Sequence, residues 1–215
     1  MMVLAVQMLC LLLFLSQVQA QVSGDPERPV MNAQRIEQTV SIDGRLDEPA
    51  WKGAASVSEF YQKEPLEGGE ATERTRVSIL YDQGYLYLGV ELQESDAGGI
   101  RASELRRDNT LESDDSFAVI LDTFHDHRNA FLFRINPRGT QYDALVTDEG
   151  RDINSSWDEK WEAQAIIDEN GWSAEIRIPL SSIRFSSSDG DVVFGADFER
   201  IIKRKNESSY WNNFS

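Results

Sequence analysis

Apolar and polar side chains alternate with period two through much of this chain, and nowhere do they settle into a long helical stripe. The clearest case is a hairpin. Residues 76–81 and 85–92 flank the turn Asp82-Gln83-Gly84, and Leu86, Leu88, Val90 and Leu92 share one face. The same reading predicts strands over residues 39–43, 57–62, 115–122, 129–136, 140–147, 161–168, 172–178 and 192–200. Residues 115–122 are apolar on both faces, which suits a central strand. Pro137-Arg138-Gly139 and Glu169-Asn170-Gly171 supply turns, the second through its Asn-Gly pair. Residues 94–114 read as the longest loop and residues 180–185 as one helical turn. About ten short strands without a long amphipathic helix indicate an all-β fold, an antiparallel β-sandwich or jelly roll.

The segment from Ile42 to Trp51 departs from this pattern. It reads as a strand end at Ile42, a turn at Asp43-Gly44, an N-cap at Asp47 and a short helix opened by Pro49, with Trp51 turned back to the apolar side. Such a segment staples the start of a sandwich. Ahead of it, Val3 to Leu15 is almost wholly apolar and uncharged, yet shorter than the about 20 residues a membrane span needs. With the small-residue end at Val18-Gln19-Ala20, residues 1–20 read as a secretory signal. Residues 21–38 form a polar leader, residues 39–200 the sandwich, and residues 201–215 the start of a truncated C-terminal region. Localisation is then exported: periplasm, outer membrane or extracellular. Cys10 lies within the signal, so the remainder has no thiol chemistry. The net charge of −16 argues against nucleic acid or an anionic membrane as partner, because both are bound by neutralising phosphates with Lys and Arg.

Candidate chemistry follows from the loops. A pyranose offers an apolar face to an aromatic ring and its hydroxyls to planar polar groups. Trp161 shares a strand face with Ala163, Ala165 and Ile167, and Trp172 with Ala174, Ile176 and Ile178, so both read as core, as does Trp51. Trp157, within Asn154-Ser155-Ser156-Trp157-Asp158, has no such periodicity and is the candidate stacking platform. A tryptophan folded over a strand edge is the plain alternative. Arg134, Asn136 and Tyr142 alternate outward from the strands joined at Pro137, where a guanidinium and an amide can chelate neighbouring hydroxyls; a solvated or salt-bridged face is the alternative there. Asp96, Asp108, Glu112, Asp114 and Asp115 crowd one loop and the next strand start. Asp96, Asp114 and Asp115 are the foremost calcium ligands among them, although the spacing is not that of an EF-hand. His125 and His127 flank Asp126 without a third ligand and read as a surface turn. No Gly-x-Ser-x-Gly elbow occurs, and no pair of acids can be assigned as acid and nucleophile, so catalysis is not expected.

The stretch IDGRLDEPAW at 42–51 resembles the opening "I-D-G-x-x-D-E-x-x-W" of the family 9 carbohydrate-binding modules. YLYLGVELQESD at 85–96, SDDSFAVILDT at 113–123 and GWSAEIRIPLSSIRF at 171–185 follow in the same order, and the similarity covers roughly residues 36–200. Arg200, Arg204, Asn206, Glu207 and Trp211 are similar to the tail of a subgroup in which this module precedes an outer-membrane β-barrel. The resemblance implies an exported sandwich that binds polysaccharide or oligosaccharide without catalysis, in the company of O-glycosyl hydrolases. It also implies structural calcium, no required cofactor and a C-terminal membrane barrel as partner. The alternative is a structural periplasmic or surface domain of a barrel protein that binds no sugar. Some relatives host haem; here Met31 is the only methionine beyond the signal, which disfavours that role.

Overall fold

The computed structural model describes residues 29–185 and 192–212. The expected signal and most of the leader lie outside that range. In chain order the strands are β1 (Gln34–Arg35), β2 (Ser56–Val57), β3 (Tyr61–Glu64), β4 (Thr75–Tyr81), β5 (Tyr85–Gln93), β6 (Ser116–Asp122), β7 (Ala130–Ile135), β8 (Gln141–Thr147), β9 (Asp152–Asn154), β10 (Glu162–Asp168), β11 (Gly171–Pro179), β12 (Gly195–Ile202) and β13 (Glu207–Tyr210). One short helix, α1 (Pro49–Gly53), precedes β2. The strands form two sheets. A six-stranded sheet runs β1-β4-β5-β11-β10 with β2 also on β4; a seven-stranded sheet runs β3-β13-β12-β6-β7-β8-β9. Pairing is antiparallel except for β1 with β4. The fold is the expected β-sandwich. No helix among the described residues is long and apolar enough to cross a membrane.

Strand alternation decides what lies between the sheets. Leu88, Val90, Ile176 and Ile178 face inward from the six-stranded sheet, against Phe117, Val119, Phe133, Ile135 and Phe198 from the other, and all are fully buried. Trp161 and Trp172 join this layer as expected. Arg200 crosses it, donating to the Arg74 and Gln93 carbonyls at 3.0 and 2.6 Å and so tying β12 to the opposite sheet.

Several boundaries differ from the sequence reading. Residues 39–43 form no strand; the sheet edge there is β1, inside the expected leader, because two residues suffice for a parallel edge pair and too few side chains are involved to set a pattern. The run 57–62 divides between the sheets, with β2 in one and β3 in the other, as buried Phe60 turns the corner. Residues 180–182 make a hydrogen-bonded turn, Ser182 N to Pro179 O at 3.0 Å, rather than a helix. The cap of α1 falls on Glu48, one residue after Asp47, since a residue before proline is held extended. Beyond residue 200 the chain remains within the sandwich. There β13 pairs with β12 and β3, and Trp211 stacks on Phe198 with centroids 5.2 Å apart.

The opening staple packs on the outer face of the six-stranded sheet, not in the interlayer. Val40, Trp51, Leu80 and Tyr87 form a second buried cluster there. Glu175, on the same face, accepts from Asp43 N and Gly44 N at 2.9 Å and from Trp51 Nε1 at 2.8 Å. Gly89 sits beneath the indole, where a Cβ would come within 2.9 Å of the Trp51 ring and the Leu46 side chain.

Candidate functional site

Strand register builds a continuous row on the outward face of the seven-stranded sheet. Tyr61 pairs with Tyr210, Tyr210 with Glu199, Glu199 with Ala118, Ala118 with Arg134 and Arg134 with Tyr142. The one α-helix among the described residues packs on the other sheet, so no α-helix of the described residues covers this face. Its floor is the apolar cluster Ala118, Leu132 and Ala144, with Ile120, Tyr142 and Val146 half-buried around it. The two alanines are fully buried on an outward face because longer neighbours close round them.

Polar groups crowd this floor. Arg134 Nη2 donates to Glu199 Oε2 across Ala118, and the Tyr210 hydroxyl donates to Glu199 Oε1. Burial, reinforced by the Glu199 carboxylate, holds the Tyr210 phenol well above its usual range. One pleat along, Asp197 Oδ1 accepts from Phe198 N and Asn212 N at 2.8 and 3.1 Å. Burial, reinforced by Glu199, raises the Asp197 pKa to about 6. Two buried polar atoms on this face have no hydrogen-bond partner among the described residues: Arg134 Nε, a donor, and Asp197 Oδ2, an acceptor. Asp197 is only 8 % exposed, so an unmatched oxygen there is costly unless something else meets it.

Trp157 does not belong to this face. It lies in the loop before β10 and packs on the inward side of β7, with ring centroids 5.2 Å from Phe131 and 5.7 Å from Phe133. There it lines a cleft of about 360 Å³ with Phe131, Leu145, Glu159, Ser181, Ser182 and Arg184. The expected site therefore separates. Arg134 and Tyr142 face one another outside the sheet, and Trp157 lies at the interlayer.

Asn136 contributes to neither. It is fully buried rather than outward, because its amide organises the turn: Oδ1 accepts from Arg138 N and Thr140 N at 3.0 Å, and Nδ2 donates to Glu104 O and Asp114 Oδ2 at 2.8 Å. The expected calcium ligands do not converge either. Asp114 accepts from Ser103 N, Ser103 Oγ, Glu104 N and Asn136, and Asp115 from Lys203 N and Arg101 N, while Asp96 stands exposed 3.8 Å from Arg204. The oxygens of Asp114 and Asp115 are occupied as loop fasteners, and these two and Asp96 do not gather as a ligand group among the described residues, so Asp96, Asp114 and Asp115 do not fit a shared cation. Three other acids do meet. Asp108, Asp143 and Asp158 offer oxygens all within 4.8 Å of one another. Arg107 already bridges them, with Nη2 at 2.9 Å from Asp143 and 3.0 Å from Asp158, and Nε at 3.4 Å from Asp108. His125 and His127 stack edge to face in an exposed turn, 4.8 Å between centroids.

The sequence reading missed Tyr61, Asp197, Glu199 and Tyr210. The spacing Asp-Phe-Glu at 197–199 does put two carboxylates on one strand face. Only the sheet order brings that face beside Arg134.

The family described as "Carbohydrate family 9 binding domain-like" matches residues 42–209. The chain belongs to this family. Its sandwich is also similar to solved structures, at identities that speak to fold alone. A candidate carbohydrate-binding protein from Bacteroides uniformis ATCC 8492 superposes with a TM-score of 0.66 at 12 % identity, covering 85 % of this chain and 88 % of that one. A family 9 carbohydrate-binding module from Caldicellulosiruptor kristjanssonii in complex with cellotriose gives 0.58 at 15 %, covering 86 % and 85 %. A family 9 module from that organism in complex with glucose gives 0.52 at 16 %, covering 84 % and 91 %. No curated protein matches the chain.

Proposed function

We propose that this family 9 domain is a non-catalytic carbohydrate-binding module whose sugar seat is the outward face of the seven-stranded sheet. The observation that carries the reading is the outward row Tyr142, Arg134, Glu199 and Tyr210, which sets a guanidinium and a carboxylate between two phenol rings. The guanidinium donates and the carboxylate accepts, and a sugar hydroxyl does both. Arg134 and Glu199 meet over the Ala118 floor, and the rings of Tyr142 and Tyr210 border that pair for contact with a pyranose face. Glu199 and Asp197 favour a neutral sugar over a uronic acid, as does the net charge of −16. Relatives in complex with glucose and cellotriose support a β-glucan or similar neutral oligosaccharide as the ligand class. The reading extends to an exported protein that holds polysaccharide for O-glycosyl hydrolases, with a membrane barrel as a C-terminal partner. Structural calcium in this chain would have to use ligands other than Asp96, Asp114 and Asp115.

A neutral-glycan array, repeated with Tyr142→Ala and Glu199→Gln, tests the seat. Binding by the parent, weakened at least tenfold in both variants while they keep the parent's far-ultraviolet dichroism, is expected. Undiminished binding in both rejects the seat. Absence of binding by the parent rejects the function and leaves the structural-domain alternative.

A further inference from the structure

We infer that the turn His125-Asp126-His127, between β6 and β7, binds a transition-series divalent cation (zinc, nickel or copper) through its two imidazoles, with Asp122 as the third ligand. Spacing along the chain offers the two rings; the fold supplies the carboxylate. His127 Nδ1 lies 3.8 Å from Oδ2 of Asp122, the last residue of β6. The two rings meet edge to face with centroids 4.8 Å apart, and both side chains are exposed. These three groups are not yet gathered within a common ligand distance. Rotation of the exposed His125 ring about its side-chain bonds closes the set, and an exposed side chain changes rotamer within nanoseconds.

The backbone of the turn is held ready. His125 N donates to Asp122 O at 3.3 Å, Asp126 N to Asp122 Oδ1 at 3.1 Å and His127 N to Asp122 Oδ2 at 2.7 Å, so one aspartate fixes all three residues. A carboxylate has about four lone-pair sites, and two backbone donors leave Asp122 able to meet a cation as well. Asp126 does not compete for it. Its Oδ1 accepts from Arg128 N and Asn129 N at 2.8 and 3.0 Å, and its Oδ2 from Asn129 Nδ2 at 3.0 Å, which closes the turn. His125 and His127 take the left-handed backbone, φ +52° and +57°, a conformation that histidine visits more readily than most residues. Two imidazoles with one carboxylate suit zinc, nickel or copper, whereas calcium and magnesium favour oxygen alone. The net charge of −16 draws cations of either kind, so the imidazoles make the selection.

The test uses the whole chain, without an affinity tag, and zinc chloride as the probe. The chain has two histidines, both in this turn, so imidazole proton resonances report on it alone. Calorimetry should count one zinc per chain, and both imidazole signals should shift over the same titration. His125→Asn and His127→Asn should each weaken zinc binding at least tenfold. Asparagine tolerates the left-handed backbone, so both variants should keep the parent's Tm in the absence of zinc. Asp122→Asn keeps an oxygen toward the turn, removes the charge and should weaken binding at least threefold. Millimolar calcium should not displace the zinc. Zinc binding that is absent, survives either histidine variant, is unaltered in Asp122→Asn or yields to calcium overturns the inference. Binding lost in Asp158→Asn would assign the cation to Asp108, Asp143 and Asp158 and overturn it as well.

Discussion

Glu175 offers the sharpest quantitative test of how the opening segment is held. Its carboxylate is fully buried and accepts three hydrogen bonds from Asp43 N, Gly44 N and Trp51 Nε1. Burial nevertheless outweighs these donors, helped by nearby Glu48, and raises its pKa from 4.5 to about 7. A carboxyl whose folded pKa is raised holds its proton longer in the native state than in the unfolded one. Its contribution to stability is therefore fully present below pH 4.5 and is lost as pH rises through 7. At about 1.4 kcal/mol per unit, that loss is about 3 kcal/mol. Glu175→Gln keeps the shape and cannot ionise. Its single acceptor oxygen leaves part of the donor set unmet, at a pH-independent cost of about 1–3 kcal/mol. The stability of the parent relative to Glu175→Gln should thus fall by about 3 kcal/mol between pH 4.5 and 8, measured by urea unfolding at constant ionic strength. Taking the difference cancels the other carboxyls that titrate in the same range, such as Asp197. A parent advantage that grows with pH would mean the three donors prevail over burial and would refute the reasoning.

Gly171→Ala should cost about 3 kcal/mol or more in urea unfolding, because φ is +137° and the new Cβ would lie 2.2 Å from Leu92 O; a loss below about 1 kcal/mol would show that β5 and β11 can separate locally at no great cost. Arg107→Ala removes the guanidinium from Asp108, Asp143 and Asp158, so millimolar calcium should raise the Tm of the variant and leave that of the parent unchanged. A parent Tm that rises with calcium would mean the cation displaces Arg107.

Period-two patterning made most of the sandwich legible, because burial on one face forces it. Leu86, Leu88, Val90 and Leu92 face the interlayer as expected, and Trp161 and Trp172 are core. What alternation cannot convey is which strands become neighbours. Arg134 and Tyr142 are eight residues apart and share a hairpin, so their outward pairing was readable. Glu199 and Tyr210 reach Arg134 only through the order β13-β12-β6-β7, a non-local arrangement with no local sequence signal. The tail was misjudged for the same reason. Arg204 binds Glu94, Glu207 accepts from Thr72 N at 3.0 Å and Trp211 covers Phe198, so each of these residues has a partner inside the sandwich. Asn136 was misassigned because its position after a strand suggested continued alternation, whereas the chain had already entered the turn that its side chain caps.

The proposed seat and the Trp157 cleft share a strand, and that constrains how each surface can change. In β7, Phe131 and Phe133 point inward to the Trp157 cleft, while Leu132 and Arg134 point outward to the tyrosine-bordered floor. Successive residues of one strand thus serve opposite surfaces, and a slip of one residue would exchange them all. Both neighbours of β7 pin its register: Phe117 to Leu121 on β6 and Gln141 to Val146 on β8. A side-chain change on one face need not disturb the other, since the backbone ladder between them stays intact. For that reason substitutions at Tyr142 and at Trp157 should act additively on stability in urea unfolding, as expected for residues without shared partners. Strong non-additivity would mean that β7 itself shifts when either surface is altered.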